Sequence, residues 1–152
     1  TTPDILTAHF DFETCPVTWR HRIWGAAEYT PEIKNGVLLY GEKQTIFVTD
    51  NRWETIPRGR GGEGRKEEVK ADVQQLHMAE FLNAVRTRKQ PTCTPADAHR
   101  STTVTKLAMI AYDTGTRIEW DSKRQEIVGN PSAAKLLKRD YRSPWVHPYS
   151  TA

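Results

Sequence analysis

The chain has 152 residues, enough for one domain with a core of its own and too few for two of ordinary size. Hydrophobic residues make up 37% and charged residues 27%, which argues against disorder and collagen-like repeats, and no apolar run approaches the roughly 18 residues of a spanning helix. The formal charge of +3, with both signs interspersed, reads as a solvated surface rather than a nucleic-acid footprint.

From Ile5, the residues Leu6, Ala8, Phe10 and Phe12 alternate with Thr7, His9, Asp11 and Glu13, the pattern of a strand with one apolar face. Cys15-Pro16 interrupts it. The run Val17 to Trp24 then sends Trp19, His21 and Ile23 one way and Arg20, Arg22 and Trp24 the other, and the two strands are expected to pair. Asp11 or Glu13 facing Arg20 or Arg22 would be an ordinary cross-strand charge pair worth about 0.2 to 1 kcal/mol. The alternative is that His9, Asp11, Arg20, His21 and Arg22 line a polar pocket. Both readings stay open at this point.

Gly25 to Asn35 reads as a loop containing Pro31. Val37 to Tyr40 and Thr45 to Thr49 form a hairpin around Gly41-Glu42-Lys43-Gln44, and Arg52 to Ile56, ended by Pro57, adds a third antiparallel strand. Leu38 and Tyr40 stand on the opposite face from Val37 and Leu39, so helices covering one face leave the other for a partner. Gly59-Arg60-Gly61-Gly62-Glu63-Gly64 spells G-x-G-x-x-G, but Pro57-Arg58 precedes it in place of a buried parallel strand. Arg65-Lys66-Glu67-Glu68 follows, too charged for the close strand contact that the third glycine of the dinucleotide motif permits. A flexible loop is the better reading. The basic run Arg58 to Lys66 leaves a weak nucleic-acid binder as a remote alternative.

Leu76, Ala79, Leu82 and Val85 recur at helical spacing, with Phe81 widening the stripe, and Arg86, Arg88, Lys89 and Pro91 end this helix near Lys89. A second helix starts with Thr94 as cap, Pro95 in the first position and Asp97 in the first turn, and Gly115 stops it. Arg117 to Trp120 and Gln125 to Val128 form a last hairpin around Asp121-Ser122-Lys123-Arg124. Asn130 and Pro131 open a third helix carrying Ala133, Ala134, Leu136 and Leu137. The tail Tyr141 to Tyr149 is aromatic enough to be expected on a docking surface.

Candidate chemistry is sparse. His77 and Glu80 lie one helical turn apart and His99 is on the next helix, but no His-Glu-x-x-His or repeated Glu-x-x-His pattern supports a metal, and a surface hydrogen bond is the plainer reading. Cys15 and Cys93 belong to no Cys-x-x-Cys pair, so they are read as buried or idle thiols. A serine elbow, a phosphate loop ending in Lys and Ser or Thr, and a recognisable cysteine nucleophile do not occur in the sequence.

Three stretches resemble the C-terminal domain of the Gfo/Idh/MocA family, the glucose-fructose oxidoreductase and inositol dehydrogenase group. Phe81 to Pro91 is similar to its F-[IL]-[DN]-A-[IV]-R helix with a basic turn and proline, and Gly36 to Lys43 is similar to its hairpin, with Gln44 where the family usually has glycine. Gly129-Asn130-Pro131 through Arg139, Tyr141, Arg142, Pro144 and Trp145 resembles the ending of a bacterial branch that also carries Thr18-Trp19-Arg20-His21-Arg22. The resemblance implies an NAD(P)-dependent oxidoreductase of sugars or cyclitols, built from an N-terminal Rossmann domain and a C-terminal open-faced sheet. This chain would be the second part only, without the family's cofactor site or its lysine near the nicotinamide.

The expectation is therefore an α+β fold with an open-faced, mainly antiparallel β-sheet, helices packed on one face, and the other face in homo-oligomer contact. Residues 1–152 would form a single substrate and oligomerisation domain, with Arg20, His21, Arg22 and His77 toward a sugar or polyol in a pocket shared with the Rossmann domain. No catalytic, cofactor-binding or metal-binding residue is assigned, and no membrane or nucleic-acid partner is expected. A different class, a non-catalytic homodimerising module, is the alternative. The start Thr1-Thr2-Pro3-Asp4, without a leader pattern, is read as that of a processed or cut chain; the cytoplasm is favoured, and export stays open.

Overall fold

The computed structural model describes residues 3–25 and 35–146. It is α+β, with open antiparallel sheets and three helices among the described residues. The chain divides into two compact units, Thr1–Thr92 and Cys93–Ala152.

The first unit opens with β1 (Ile5–Asp11) and β2 (Pro16–Arg22), paired antiparallel. Leu6, Ala8 and Phe10 are half-buried and their neighbours exposed, the period-2 pattern expected of this strand. The register differs from the expected charge pairing. The short connection Phe12 to Cys15 places Asp11 opposite Pro16, so Thr7 faces Arg20 and Ile5 faces Arg22. An acid four positions along the ladder is not the cross-strand neighbour of Arg20. The loop expected over Gly25 to Asn35 lies largely outside the described residues.

The meander follows as β3 (Val37–Tyr40), β4 (Gln44–Val48) and β5 (Arg52–Pro57). A fourth strand, β6 (Lys66–Glu68), pairs with β5 and was not expected, because three exposed charged residues carry no apolar alternation. The register puts Leu38, Phe47 and Glu54 in one row, and Val37, Val48, Trp53 and Glu67 in the next, on the opposite face. Phe47 is buried, whereas Val37, Leu39 and Val48 are exposed on the other face.

Next comes α1 (Val73–Thr87), where Asp72 caps the start by accepting from the Gln75 N–H, and Arg88 in the left-handed region closes the end. Its apolar residues do not make the single stripe expected. At 3.6 residues per turn, Val73, Leu76, Met78, Phe81, Leu82 and Val85 are spread around most of the circumference, with polar residues between them. None of its residues is buried. Such a helix is too short to hold itself together in water by propensity alone.

The second unit contains α2 (Pro95–Thr114), β7 (Glu119–Asp121), β8 (Glu126–Val128) and α3 (Pro131–Ala134), which runs into a 3₁₀ turn at Lys135–Leu137. The expected caps are all present: the Thr94 side chain accepts from the Asp97 N–H, Gly115 takes the left-handed stop, and Asn130 accepts from the Ala133 N–H. Asp121 Oδ1 accepts from the N–H groups of Lys123 and Arg124, which folds the β7–β8 turn. The core is Ile110, Ile127 and Ala133, with Leu107, Ile118, Trp120 and Ala134 packed against it. In the tail, Trp145 and Val146 are exposed, and residues 147–152 lie outside the described part. No helix among the described residues is long and apolar enough to cross a membrane.

Candidate functional site

The β1–β2 hairpin carries the basic and histidine residues singled out from the sequence. Strand alternation separates them. Arg20 and Arg22 share a face with Thr7, His9 and Thr18, and His21 stands on the opposite face with Leu6 and Trp19. On the first face, His9 Nδ1 and Thr18 Oγ1 are 3.2 Å apart, a direct cross-strand contact. On the second, Trp19 and His21 stack with ring centroids 5.7 Å apart and nearly parallel planes. The hairpin thus offers a polar face of fixed donors and an apolar face with an aromatic step. Arg20 is exposed, and His21 and Arg22 are half-buried.

His77 lies on α1, one turn before Glu80, but the carboxylate of Glu80 turns to a different partner. Glu80 Oε1 accepts from the Thr92 N–H at 2.8 Å and from the Thr92 hydroxyl. These bonds hold the carboxyl below the ordinary carboxylate range, with His77 adding a smaller electrostatic pull. The effect is to tie the segment after α1 back onto the helix, a long-range link for which the sequence gives no local signal. Because the folded pKa is lowered, the link contributes fully above the unfolded carboxyl's pKa and is lost as pH falls through the folded value. Glu80→Gln is expected to remove that acid-side dependence, measured as amide exchange at Thr92 against pH. Unchanged exchange in the variant would show that Glu80 does not hold this segment.

His99 Nε2 lies 3.1 Å from Gln125 Oε1 within the second unit, and no group of three or more His, Cys, Asp or Glu suited to a metal occurs among the described residues. Cys15 and Cys93 are free and exposed rather than buried. Two open depressions lie beside the β3–β4 turn and along α1, and Arg20, His21, Arg22 and His77 line neither.

The glycine-rich run Gly59 to Gly64 connects β5 to its antiparallel neighbour β6. A Cβ on Gly62 would lie 2.4 Å from Pro57 Cβ, and one on Gly64 would lie 2.6 Å from the Thr55 carbonyl oxygen. These two glycines serve the close return of the hairpin. A dinucleotide site needs a strand, a tight turn and a helix whose N-terminus meets the pyrophosphate, so this run does not fit one. The basic residues beside it are also engaged. Arg65 lies over the Trp53 ring at 5.1 Å and pairs with Glu67, and the Arg58 guanidinium donates to the Glu42 carbonyl at 3.4 Å.

Residues 65–147 match the family model described as the oxidoreductase family's C-terminal alpha/beta domain, of the Gfo/Idh/MocA group. The match spans more than half of the chain. This chain belongs to the Gfo/Idh/MocA oxidoreductase family. Searches of curated proteins and of solved structures gave no match. The matched part of this Gfo/Idh/MocA chain begins beside β6 and takes in every helix described above, whereas the β1–β2 hairpin with Arg20, His21 and Arg22 precedes it.

Proposed function

We propose that this chain serves as the C-terminal domain of an NAD(P)-dependent sugar or cyclitol oxidoreductase. In this reading it shapes the substrate pocket against an N-terminal dinucleotide-binding domain and joins copies through the open face of its meander. Membership of a family that is typically NAD(P)-dependent supports the reaction class. The cofactor belongs to the other domain, since the glycine run here is a hairpin connection. Arg20 and Arg22 on one face of the β1–β2 hairpin, or His21 on the other, are the residues assigned to the sugar, together with His77 on α1: guanidinium and imidazole N–H groups are donors suited to hydroxyl oxygens, and Trp19 offers an apolar surface on the His21 face.

The observation that carries the oligomer part is the face formed by Val37, Leu39 and Val48, all exposed, with half-buried Ile46 and Trp53 beside them on the same face. Contiguous apolar surface of this kind is a mark of association in soluble proteins. Light scattering coupled to size exclusion tests it: a dimer or tetramer is expected, and Val48→Glu should shift it strongly toward monomer by placing a charge at the centre of the face. A folded monomer at every concentration would sink the oligomer role. A non-catalytic homodimerising module rests on the same face. An upstream coding region with a strand, glycine turn and helix supports the oxidoreductase reading, and one without it supports the module.

A further inference from the structure

The burial pattern of the β1–β2 hairpin tells its two faces apart. Along β1, Leu6, Ala8 and Phe10 are half-buried, whereas Ile5, Thr7, His9 and Asp11 are exposed. The side that carries Leu6, Ala8 and Phe10 also carries Trp19 and His21, whose rings are stacked on each other. The opposite side stays open. Its register sets Thr7 across from Arg20 and His9 across from Thr18, with Arg22 next to Arg20 on the same face of β2. Cross-strand neighbours stand about 5 Å apart and successive residues on one face about 7 Å, so Thr7, His9, Thr18 and Arg20 form one continuous patch. The 3.2 Å contact between His9 Nδ1 and Thr18 Oγ1 fixes what the neutral imidazole can read. If the threonine hydroxyl donates, Nε2 carries the ring proton and donates outward; if Nδ1–H donates, Nε2 accepts. A sugar hydroxyl both donates and accepts, so it satisfies His9 in either state, whereas a carbonyl or an ammonium group satisfies only one.

The charge on this face narrows the ligand further. Among its strand residues, the guanidinium groups of Arg20 and Arg22 stand against the single carboxylate of Asp11. A guanidinium has five N–H donors in a planar fork, so it can hold a ligand carboxylate with two of them and keep a contact to another protein group. We propose that the substrate binds on the Thr7, His9, Thr18 and Arg20 face rather than on the His21 face, and that it is a sugar acid. Its carboxylate sits on the Arg20 fork and one of its hydroxyls on His9 Nε2. His9 and Thr18, which have no part in the sugar assignment above, then recognise the hydroxyl, and Arg20 selects the acid. This choice of face rests on the sugar-pocket reading and makes it more specific: the patch is one wall of the pocket, and the dinucleotide-binding domain supplies the rest.

The test is titration of the full, isotope-labelled chain with D-glucuronate, D-glucose and acetate, read as NMR shifts of the hairpin amides and of the His and Trp rings. D-Glucuronate is expected to give saturable shifts at His9, Thr18 and Arg20, to bind about tenfold or more tightly than D-glucose, and to leave Trp19 and His21 unmoved. Acetate should reach Arg20 alone. Arg20→Gln should bring the two sugars to equal affinity with an unchanged far-UV spectrum, a loss of discrimination that a purely structural role would not produce. His9→Ala should weaken both sugars, and His21→Gln neither. Saturable shifts at Trp19 and His21 with His9 unmoved put the sugar on the other face and overturn the proposal, while the sugar-pocket reading stands. Equal affinity for D-glucuronate and D-glucose, acetate binding as well as D-glucuronate, or indifference to Arg20→Gln or His9→Ala overturns it as well. No saturable shift on either face with any of the three compounds removes the hairpin from the sugar site and overturns both.

Discussion

Phe47→Ala is expected to destabilise the meander by about 3 to 5 kcal/mol, the usual cost of emptying a packed phenylalanine site. Phe47 is 4% exposed and is the only buried residue among those described in the first unit. It sits in the middle strand of the three-stranded meander, with Leu38 and Glu54 as its cross-strand neighbours. The backbone is fitted to the ring: a Cβ on Gly36 would lie 2.5 Å from Phe47 Cε2 and 2.9 Å from the Val48 carbonyl oxygen. Gly36→Ala therefore forces the ring or the strand to move. Part of that strain vanishes once the ring is gone, so the double variant should be less damaged than the sum of the singles, by the coupling usual for residues in contact. Amide exchange of β3 to β5 reads the effect without assuming that both units unfold together. A loss below about 1 kcal/mol for Phe47→Ala, within the range of surface changes, would mean that the ring is not a packing centre.

The features that were legible in the sequence are those written locally. Thr94-Pro95 with Asp97, Gly115, and Asn130-Pro131 each mark a helix end through one side chain or one backbone conformation, and the structure uses each in that way. The β3–β4 hairpin was legible because apolar β-formers flank a polar turn containing glycine. β6 was hidden because an edge strand is selected for charge, which is also the composition of a loop. The expected placement of Asp11 or Glu13 directly across from Arg20 or Arg22 missed the register because of turn length: where a hairpin closes fixes every opposite residue along it, and alternation alone does not say where it closes. For the candidate site, alternation correctly separates His21 from Arg20 and Arg22. The Glu80–Thr92 tie escaped because it joins residues 12 apart through a connection that no period describes.

The second unit should respond to its core in the same steep way. Ile127→Ala and Ile110→Ala are each expected to cost about 2 to 5 kcal/mol, since both side chains are less than one-tenth exposed and share the cluster with Ala133, which is fully buried. So small a cluster has few other side chains able to close the cavity, which favours the upper part of that range. Ala133→Leu attacks the same centre from the opposite direction, forcing a larger side chain into filled space at about 1 to 3 kcal/mol. Val128→Ala, next to Ile127 in β8 but 43% exposed, is the control and should cost far less than Ile127→Ala. Because Ile110 and Ile127 line the same cluster, the double alanine variant should deviate from additivity by about 0.5 to 3 kcal/mol. Urea unfolding combined with amide exchange in the last turns of α2 measures these changes. Equal, small effects at Val128 and Ile127 would show that β8 is not held by this core.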